Sequence, residues 1–277
     1  MVLQTNNKKS LYLLEVAIFA AYKAGTEIIS VYNDSSKEIE FELKSDNSPV
    51  TIADIRSNDI IVEKLSMLDI PIVSEELPLP SAEERAQMSR FWIIDPLDGT
   101  KEFLNRTGEF TVNIALVEDE KAILGIIFVP CENILYFGLR GLGAYAISGS
   151  ELRAGMDIEK IIKKARLLHT IPKRNTFIIA KSVSFTDERT NKFIDNLLME
   201  HENAEVKQIG SSLKFVRIAS REVDCYPRMS QIHEWDIAAG VAIVVASGGK
   251  AIDLSTGKEI LMNDNEYLTK EFICWAG

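Results

Sequence analysis

Residues 91–103 read FWIIDPLDGTKEF, and this stretch decides how the rest of the chain is interpreted. It begins with two aromatic residues and two isoleucines, a short apolar run that favours a buried strand over a helix. Pro96 lacks a backbone donor and is predicted to end that strand, while Gly99 permits a tight turn. Asp95 and Asp98 are therefore expected at the carboxyl end of a strand, where α/β proteins build many of their sites.

The two aspartates also have a simpler interpretation, because the pattern Asp-x-x-Asp-Gly occurs in many surface turns. Two carboxylates this close, however, raise each other's pKa unless a cation holds them. An apolar strand leads into the pattern, and further acidic residues follow other apolar segments of the chain. The sequence therefore predicts a divalent metal site at Asp95 and Asp98.

The composition is that of an ordinary globular protein, with 277 residues, of which 46% are hydrophobic and 26% are charged. These values argue against disorder and against a fibrous fold. The net charge of −10 argues against a broad nucleic-acid-binding face, since phosphate backbones require clustered cations. A negatively charged protein that acts on a phosphorylated substrate needs local cations or metal ions in its site.

Cysteine usage and hydropathy indicate the compartment. Cys131, Cys225 and Cys274 are widely spaced and form no CxxC pair, which argues against a disulfide framework or a zinc cage. No apolar run approaches the roughly 20 residues of a membrane span, and the first residues lack the pattern of a signal peptide. We expect a cytoplasmic protein, with peripheral association at the inner membrane left open.

Further carboxylates accompany predicted elements elsewhere in the chain. Asp54 lies near the start of a predicted helix, where a carboxylate also suits the helix dipole. Glu75 and Glu76 follow a short apolar run, although such a pair also fits a solvated loop. Asp236 falls in the first turn of a helix rich in small residues, and the preceding His233 is predicted to be a packed or capping histidine.

The remaining pattern predicts helices combined with strands. Residues 10–32 have helical spacing, with Ser10 as the N-cap, and residues 111–140 fit an antiparallel meander. A polar connector suggests two parts of one catalytic unit. Residues 1–150 would carry the metal site, and residues 151–277 would carry the substrate-binding residues.

Three motifs, in this order, resemble those of the inositol monophosphatase superfamily of metal-dependent, lithium-sensitive phosphomonoesterases. They are Glu75-Glu76, then Asp95-Pro-Leu-Asp98-Gly-Thr100, then Trp235-Asp236-Ile-Ala-Ala-Gly. Stretches at 44–54, 101–103 and 210–214 resemble one branch, the 3′(2′),5′-bisphosphate nucleotidases of the bacterial CysQ type. The resemblance implies an α-β-α-β-α layered sandwich of the α+β or α/β class, similar to fructose-1,6-bisphosphatase.

The resemblance also implies the ligands of two or three Mg²⁺ ions, all of them oxygen donors. They are Glu75, Asp95, the main-chain carbonyl of Leu97, Asp98 and Asp236. Hard oxygen donors, without Cys or clustered His, are the ligands that Mg²⁺ prefers.

The implied mechanism is an in-line attack by water, without a phosphoenzyme. Two ions about 4 Å apart would bridge the phosphate and activate the water. Thr100 would orient that water together with either Glu75 or Asp54, a choice that the sequence leaves open. The amides of Gly99 and Thr100 would open a helix, whose N-terminus favours a phosphate.

The residues expected to select the substrate are cationic or polar. Ser211, Lys214 and Arg228 match the positions that hold the 5′-phosphate in the bisphosphate nucleotidases, and Lys44 is expected to contact the substrate as well. A guanidinium binds phosphate in bidentate fashion, whereas the inositol enzymes offer a carboxylate near this position. Arg228 also fits a solvated cation at the end of a strand.

The expected activity is Mg²⁺-dependent removal of the 3′-phosphate of adenosine 3′,5′-bisphosphate (PAP), which yields AMP. Such an enzyme would clear a by-product of sulfate activation, and the sulfated precursor (PAPS) is a further candidate substrate. The alternative within enzymes is an inositol monophosphate or a related sugar phosphate. An alternative of another class is a metal-binding regulatory protein without catalysis. The sequence leaves monomer and homodimer open.

Overall fold

The computed structural model describes residues 2–34, 39–44, 48–168, 175–184, 187–262, 264 and 266–277, with side chains from residue 8 onward. The helices are α1 (Val2–Asn33), α2 (Ile52–Leu65), α3 (Ala82–Ala86), α4 (Thr100–Leu104), α5 (Ile158–Lys164), α6 (Glu188–Glu200), α7 (Leu213–Ala219) and α8 (Glu234–Ala246). Two stretches that the sequence singles out lie partly outside the described residues. One is the Lys44–Asp54 stretch, at residues 45–47, and the other is a helix predicted to begin at Thr186.

The strands of the first half are β1 (Phe41–Leu43), β2 (Pro49–Thr51), β3 (Ile72–Ser74), β4 (Arg90–Asp98), β5 (Thr111–Glu118), β6 (Lys121–Val129), β7 (Ile134–Leu139), β8 (Gly143–Ser148) and β9 (Arg166–Leu167). The later strands are β10 (Phe177–Ser182), β11 (Ala204–Ile209), β12 (Cys225–Arg228), β13 (Lys250–Asp253), β14 (Lys258–Glu259) and β15 (Phe272–Trp275).

Within the described residues, these strands form two large sheets and the hairpin β1–β2. Strands β3 to β9 lie side by side in chain order, and only the β3–β4 pair is parallel. This order confirms the meander predicted over residues 111–140. The second sheet has the order β11-β10-β12-β15-β13-β14, and β10 runs parallel to both of its neighbours.

The sheets and helices stack in five layers. Helices α1 and α2 pack on the outer face of the first sheet, and α7 and α8 lie between the two sheets. Helix α6 covers the outer face of the second sheet. The α-β-α-β-α sandwich that the sequence predicts is confirmed, because each sheet buries both faces against helices.

Strand alternation decides which residues of the first sheet face α8. In β4, Trp92 and Ile94 join the core beneath α1 and α2, whereas Phe91 and Ile93 join the core that contains α8. Because side chains alternate along a strand, Asp95 belongs to the same face as Phe91 and Ile93. The last side chains of this face are therefore directed toward the start of α8.

Two glycines on neighbouring strands allow α8 to lie close against the sheet. Gly125 and Gly138 are paired across β6 and β7. A Cβ atom at Gly125 would lie 2.2 Å from the carbonyl oxygen of Ala239, and one at Gly138 would lie 2.9 Å from the Cα of Ile243. The absence of side chains at these positions brings the start of α8 near the ends of β3 and β4.

The structure departs from the sequence prediction at the first helix. Helix α1 begins at Val2, so Ser10 lies inside it, and the predicted N-cap is wrong. No Pro or Gly interrupts residues 2–10, and the helix can therefore continue through them. The first sheet extends to Leu167, while the division at residue 150 stays a prediction. Among the described helices, none is long and apolar enough to cross a bilayer.

Candidate active site

Three carboxylates meet where β3, β4 and α8 come together. Glu75 follows β3, Asp95 lies in β4, and Asp236 lies in the first turn of α8. One carboxylate oxygen from each residue lies within 4.8 Å of the others. Such a group of oxygen donors can hold a divalent cation.

Strand β4 does not end at Pro96, which corrects the sequence prediction. Its pairing with β5 continues to Asp98 through an irregularity between Asp95 and Asp98. A proline is tolerated there because a bulge leaves its missing amide without a ladder partner. The amide of Leu97 donates to Asp95 Oδ1 at 3.0 Å, and the Leu97 carbonyl oxygen lies 3.3 Å from the Thr100 hydroxyl oxygen. The irregularity thus places the carbonyl of Leu97 beside Thr100, at the point where β4 leads into α4.

Asp98 is oriented by a polar network that spans both halves of the chain. Ser212 Oγ donates to Asp98 Oδ2 at 2.7 Å and also lies 2.7 Å from the Asp236 carbonyl oxygen. Asn113 Nδ2 donates to Ser212 Oγ at 2.9 Å and lies 3.4 Å from Asp98 Oδ2. The network therefore links two predicted metal ligands, Asp98 and Asp236.

The electrostatics of the cluster indicate that it requires cations. Burial raises the pKa of Asp95 well above its ordinary value, and the charges of Glu75, Asp98 and Asp236 raise it further. Burial and the charge of Asp98 likewise raise the pKa of Asp236. Ionised carboxylates this close need a positive counter-charge, and the donor set consists of oxygen atoms. The residues therefore fit the hard divalent cation that the sequence predicts.

Asp54 pairs with Thr100 at the edge of the cluster. The hydroxyl of Thr100 donates to Asp54 Oδ1 at 3.1 Å. Asp54 Oδ2 accepts from the Thr51 amide at 2.8 Å and from the Thr51 hydroxyl at 2.6 Å, in a capping box at the start of α2. Asp54 is thus a helix-cap carboxylate and also the partner of Thr100. Burial raises its pKa, against these hydrogen bonds.

Lys44 contacts the acidic cluster directly. Its Nζ lies 2.7 Å from Glu75 Oε1 and 2.6 Å from Glu76 Oε1. Partial burial disfavours the ammonium ion, but the charges of Glu75 and Glu76 outweigh this and raise the pKa of Lys44. In this structure the lysine supplies the positive charge next to Glu75.

Two buried cations lie on the other side of the same cleft. Lys214 is 4% exposed and Arg228 is 7% exposed, so Arg228 is not the solvated cation that the sequence left open. Lys214 Nζ donates to the carbonyls of Ile209 and Ser211, and Arg228 lies within 3.4 Å of the Tyr226 hydroxyl. Neither cation forms a salt bridge with a carboxylate in the part of the chain that the structure describes.

The charge state of these cations is sensitive to their surroundings. Burial, together with the charge of Arg228, lowers the pKa of Lys214 to about 8, against the opposing charge of Asp98. Ser211 lies beside them, with a φ of 41°, and directs the chain into α7. A bound anion would relieve the repulsion between the two cations.

A single cleft of about 340 Å³ connects the acidic cluster with the two cations. Gly99 lies between them with a φ of 94°, which only glycine adopts readily. His233 stacks on Trp235 at 4.4 Å along the rim, as expected for a packed histidine. Every residue predicted for the site lines this cleft except Asp54 and Lys44, which contact residues that do.

Asn113 and Ser212 were not predicted from the sequence as site residues. Asn113 is buried in β5 within the run 112–117, whose other residues are apolar, and lies on the same face as Ala115 and Val117. An amide inside such a run was a usable signal, because buried polar groups require partners. Ser212 gave no comparable signal, since its partners come from β4, β5 and α8.

The comparison with known proteins agrees with this geometry. The model of the inositol monophosphatase family matches residues 10–273. A protein of Salmonella typhimurium named 3′(2′),5′-bisphosphate nucleotidase CysQ is 38% identical over 260 residues, which cover 91% of this chain and 97% of the relative. The protein of the same name from Buchnera aphidicola is 38% identical over 232 residues, which cover 83% of this chain and 80% of the relative.

Solved structures show the same fold. The crystal structure of CysQ from Bacteroides thetaiotaomicron has a TM-score of 0.89 and 38% identity, with 96% of this chain and 97% of that chain covered. The Thermotoga maritima IMPase has a TM-score of 0.70 and 25% identity, with 95% and 92% covered. Because the family model matches nearly the whole length of this chain, the chain belongs to the inositol monophosphatase family.

Proposed function

We propose that this protein is a Mg²⁺-dependent phosphatase that removes the 3′-phosphate of adenosine 3′,5′-bisphosphate, yielding AMP and inorganic phosphate. The 38% identical relative from Salmonella typhimurium carries the name of a nucleotidase for such bisphosphates. The proposal extends that activity to this chain on the basis of its own cleft, which joins an acidic cluster to a cationic subsite.

The observation that carries the proposal is the pair of buried cations, Lys214 and Arg228. Burying a cation without a carboxylate partner is costly, so the pair is expected to bind an anion in the functional complex. A bisphosphate has a second phosphate to place there while its first phosphate reacts at the acidic cluster. A monophosphate ester of inositol has no group of that charge to offer.

Glu75, Asp95, the Leu97 carbonyl, Asp98 and Asp236 are proposed to hold two or three Mg²⁺ ions. Bound ions of this kind stabilise charge on the phosphate and the departing ester oxygen, and they favour ionisation of a water molecule. Ser212 and Asn113 orient Asp98, and the bulge in β4 orients the carbonyl of Leu97.

Thr100 and Asp54 are proposed to position and deprotonate the attacking water. The water donates its proton to Thr100 Oγ while the Thr100 hydroxyl passes its own proton to Asp54 Oδ1, along the 3.1 Å hydrogen bond. Burial raises the pKa of Asp54, which makes it a better proton acceptor. The oxygen of the deprotonated water bonds to phosphorus as the bond between phosphorus and the ester oxygen breaks. The ester oxygen takes a proton from solvent, and Asp54 releases its proton to solvent.

The proposal is tested by steady-state phosphate release from adenosine 3′,5′-bisphosphate and from inositol 1-phosphate, each with Mg²⁺ or with EDTA. We expect Mg²⁺-dependent release from the nucleotide, with AMP identified as the product by chromatography, and a preference over inositol 1-phosphate of at least about 100-fold. Preferred hydrolysis of inositol 1-phosphate would contradict the substrate assignment. Failure to hydrolyse either ester would support the non-catalytic alternative.

A further inference from the structure

Glu102 is a carboxylate in the cleft for which the proposed reaction has no role. It lies in the first turn of α4, two residues after Thr100, and lines the cleft together with Ser211 and Lys214. Its side chain is largely buried, with 8% of the residue exposed. An anion at this place repels a substrate that carries two phosphates, so its presence calls for an explanation.

One oxygen of Glu102 is bonded and the other is not. Oε1 accepts a hydrogen bond from the hydroxyl of Ser184, which follows β10 in the other half of the chain. Within the described ranges, no hydrogen bond reaches Oε2. The contact with Ser184 therefore fixes the carboxylate while leaving one acceptor open.

The open oxygen stands between the two ends of the cleft. A Cβ atom built on Gly99 would lie 3.4 Å from Glu102 Oε2 and 3.3 Å from the Cβ of Ser211. Gly99 joins the loop of the metal cluster to α4, and Ser211 belongs to the cationic subsite. A ligand that reaches from the acidic cluster to the cations would therefore pass residues adjacent to Oε2.

An ionised carboxylate accepts hydrogen bonds and donates none. A nucleoside bisphosphate offers donors at its free ribose hydroxyl and at the amino group of its base. With one phosphate at the acidic cluster and the other at the cations, the ribose is the portion that lies between them. We infer that Glu102 accepts a hydrogen bond from the ribose hydroxyl adjacent to the scissile phosphate, and thereby selects ribonucleotides over 2′-deoxyribonucleotides.

This inference rests on the proposed function, because it assumes that a nucleoside bisphosphate occupies the cleft. The alternative is a purely structural role, in which the hydrogen bond between Glu102 and Ser184 holds the two halves of the chain together. Glu109 provides a matched comparison, since its Oε2 accepts from the amide of Gly210 at 3.3 Å and also joins the two halves. Glu109 does not line the cleft. A structural tie and a hydroxyl contact can therefore be separated by comparing the two glutamates.

The test measures kcat and KM for adenosine 3′,5′-bisphosphate and 2′-deoxyadenosine 3′,5′-bisphosphate in the wild type, Glu102→Ala, Glu102→Gln and Glu109→Gln. Loss of a hydrogen bond to a charged acceptor weakens binding about 10- to 100-fold. The wild type is therefore expected to have a kcat/KM for the ribonucleotide that exceeds its kcat/KM for the deoxyribonucleotide by that factor. Glu102→Ala should reduce the preference to about threefold or less, and Glu102→Gln should give an intermediate value. Glu109→Gln should retain the full preference.

Thermal unfolding of each variant identifies a loss of fold, and Glu102→Gln preserves the shape of the side chain if Glu102→Ala is unstable. Equal losses on both substrates in the Glu102 variants, with the wild-type preference retained, would overturn the inference and leave the proposed function standing. So would a wild type that hydrolyses both nucleotides equally well. A wild type that hydrolyses neither nucleotide would overturn the proposed function and the inference with it.

Discussion

Replacing Ser212 by alanine removes one hydroxyl that joins the carboxylate of Asp98 to the backbone of Asp236. The Ser212 side chain is fully enclosed, and its oxygen lies 2.7 Å from acceptor atoms of both residues. A hydroxyl has one proton, so it donates to one acceptor at a time. After the change, Asp98 keeps a hydrogen bond from the backbone amide of residue 212 and the contact from Asn113 at 3.4 Å, which is too long for a strong hydrogen bond.

The expected effect is on metal affinity more than on fold. A hydrogen bond to a charged group contributes about 1.5–3 kcal/mol, and loss of a group that orients a metal ligand typically weakens metal binding about 10- to 100-fold. Burial raises the pKa of Asp98, and the Ser212 hydroxyl opposes this rise. In Ser212→Ala the pKa should therefore rise further, and the apparent affinity for Mg²⁺ should fall more steeply as the pH decreases.

Isothermal titration calorimetry with Mg²⁺ at several pH values measures this effect on the substrate-free protein. Ser220→Ala is the matched control, because the Ser220 hydroxyl is buried and has no hydrogen-bond partner in the described structure. The control should bind Mg²⁺ as the wild type does. If Ser212→Ala is folded and binds Mg²⁺ with unchanged affinity, the argument that this network orients Asp98 is refuted.

Three further predictions concern charge and packing. Since burial lowers the pKa of Lys214 to about 8, kcat/KM for the bisphosphate should fall about tenfold per pH unit above about pH 8, and Lys214→Met should lack this decline. The unfolded chain keeps that proton to about pH 10.5, so between these pH values the free energy of unfolding in urea should rise in the wild type relative to Lys214→Met. Lys44→Met removes the ammonium group that lies 2.7 Å from Glu75 Oε1 and competes with a metal ion for this carboxylate. Calorimetry should therefore show Mg²⁺ binding up to about fivefold tighter in the variant. Weaker binding would contradict competition between Lys44 and the metal ion. Gly125→Ala would place a methyl group 2.2 Å from the Ala239 carbonyl oxygen. The free energy of unfolding measured in urea should therefore fall by about 1–3 kcal/mol. An unchanged free energy of unfolding would argue against such close packing of helix and sheet.

Much of the acidic cluster could be predicted because its chemistry is local in sequence. Asp95 and Asp98 lie three positions apart at the end of β4, and Glu75 and Asp236 each lie at the end or start of a strongly patterned element. Strand alternation then places Asp95 on the face that meets α8. The continuation of β4 past Pro96 could not be predicted in the same way, because a bulge depends on the pairing of β4 with β5.

Contacts between the two halves of the chain could not be predicted from the sequence. The tie between Glu102 and Ser184 and the network through Ser212 depend on how the halves dock. The buried pair of Arg85 and Glu234, whose atoms lie 2.6 Å apart, is of the same kind. Propensity and periodicity carry no information about such partners, since the residues that meet are about 80 to 150 positions apart.

The proposed substrate places a second phosphate on Lys214 and Arg228 while its first phosphate reacts at the acidic cluster. The most direct measurement is the ratio of kcat/KM for adenosine 3′,5′-bisphosphate to that for adenosine 3′-monophosphate, in the wild type and in Arg228→Met. A bidentate contact between guanidinium and phosphate predicts a wild-type ratio of at least about 10 to 100, which should approach unity in the variant while hydrolysis of the monophosphate persists. A ratio near unity in the wild type, or a ratio unchanged by the substitution, would contradict the account.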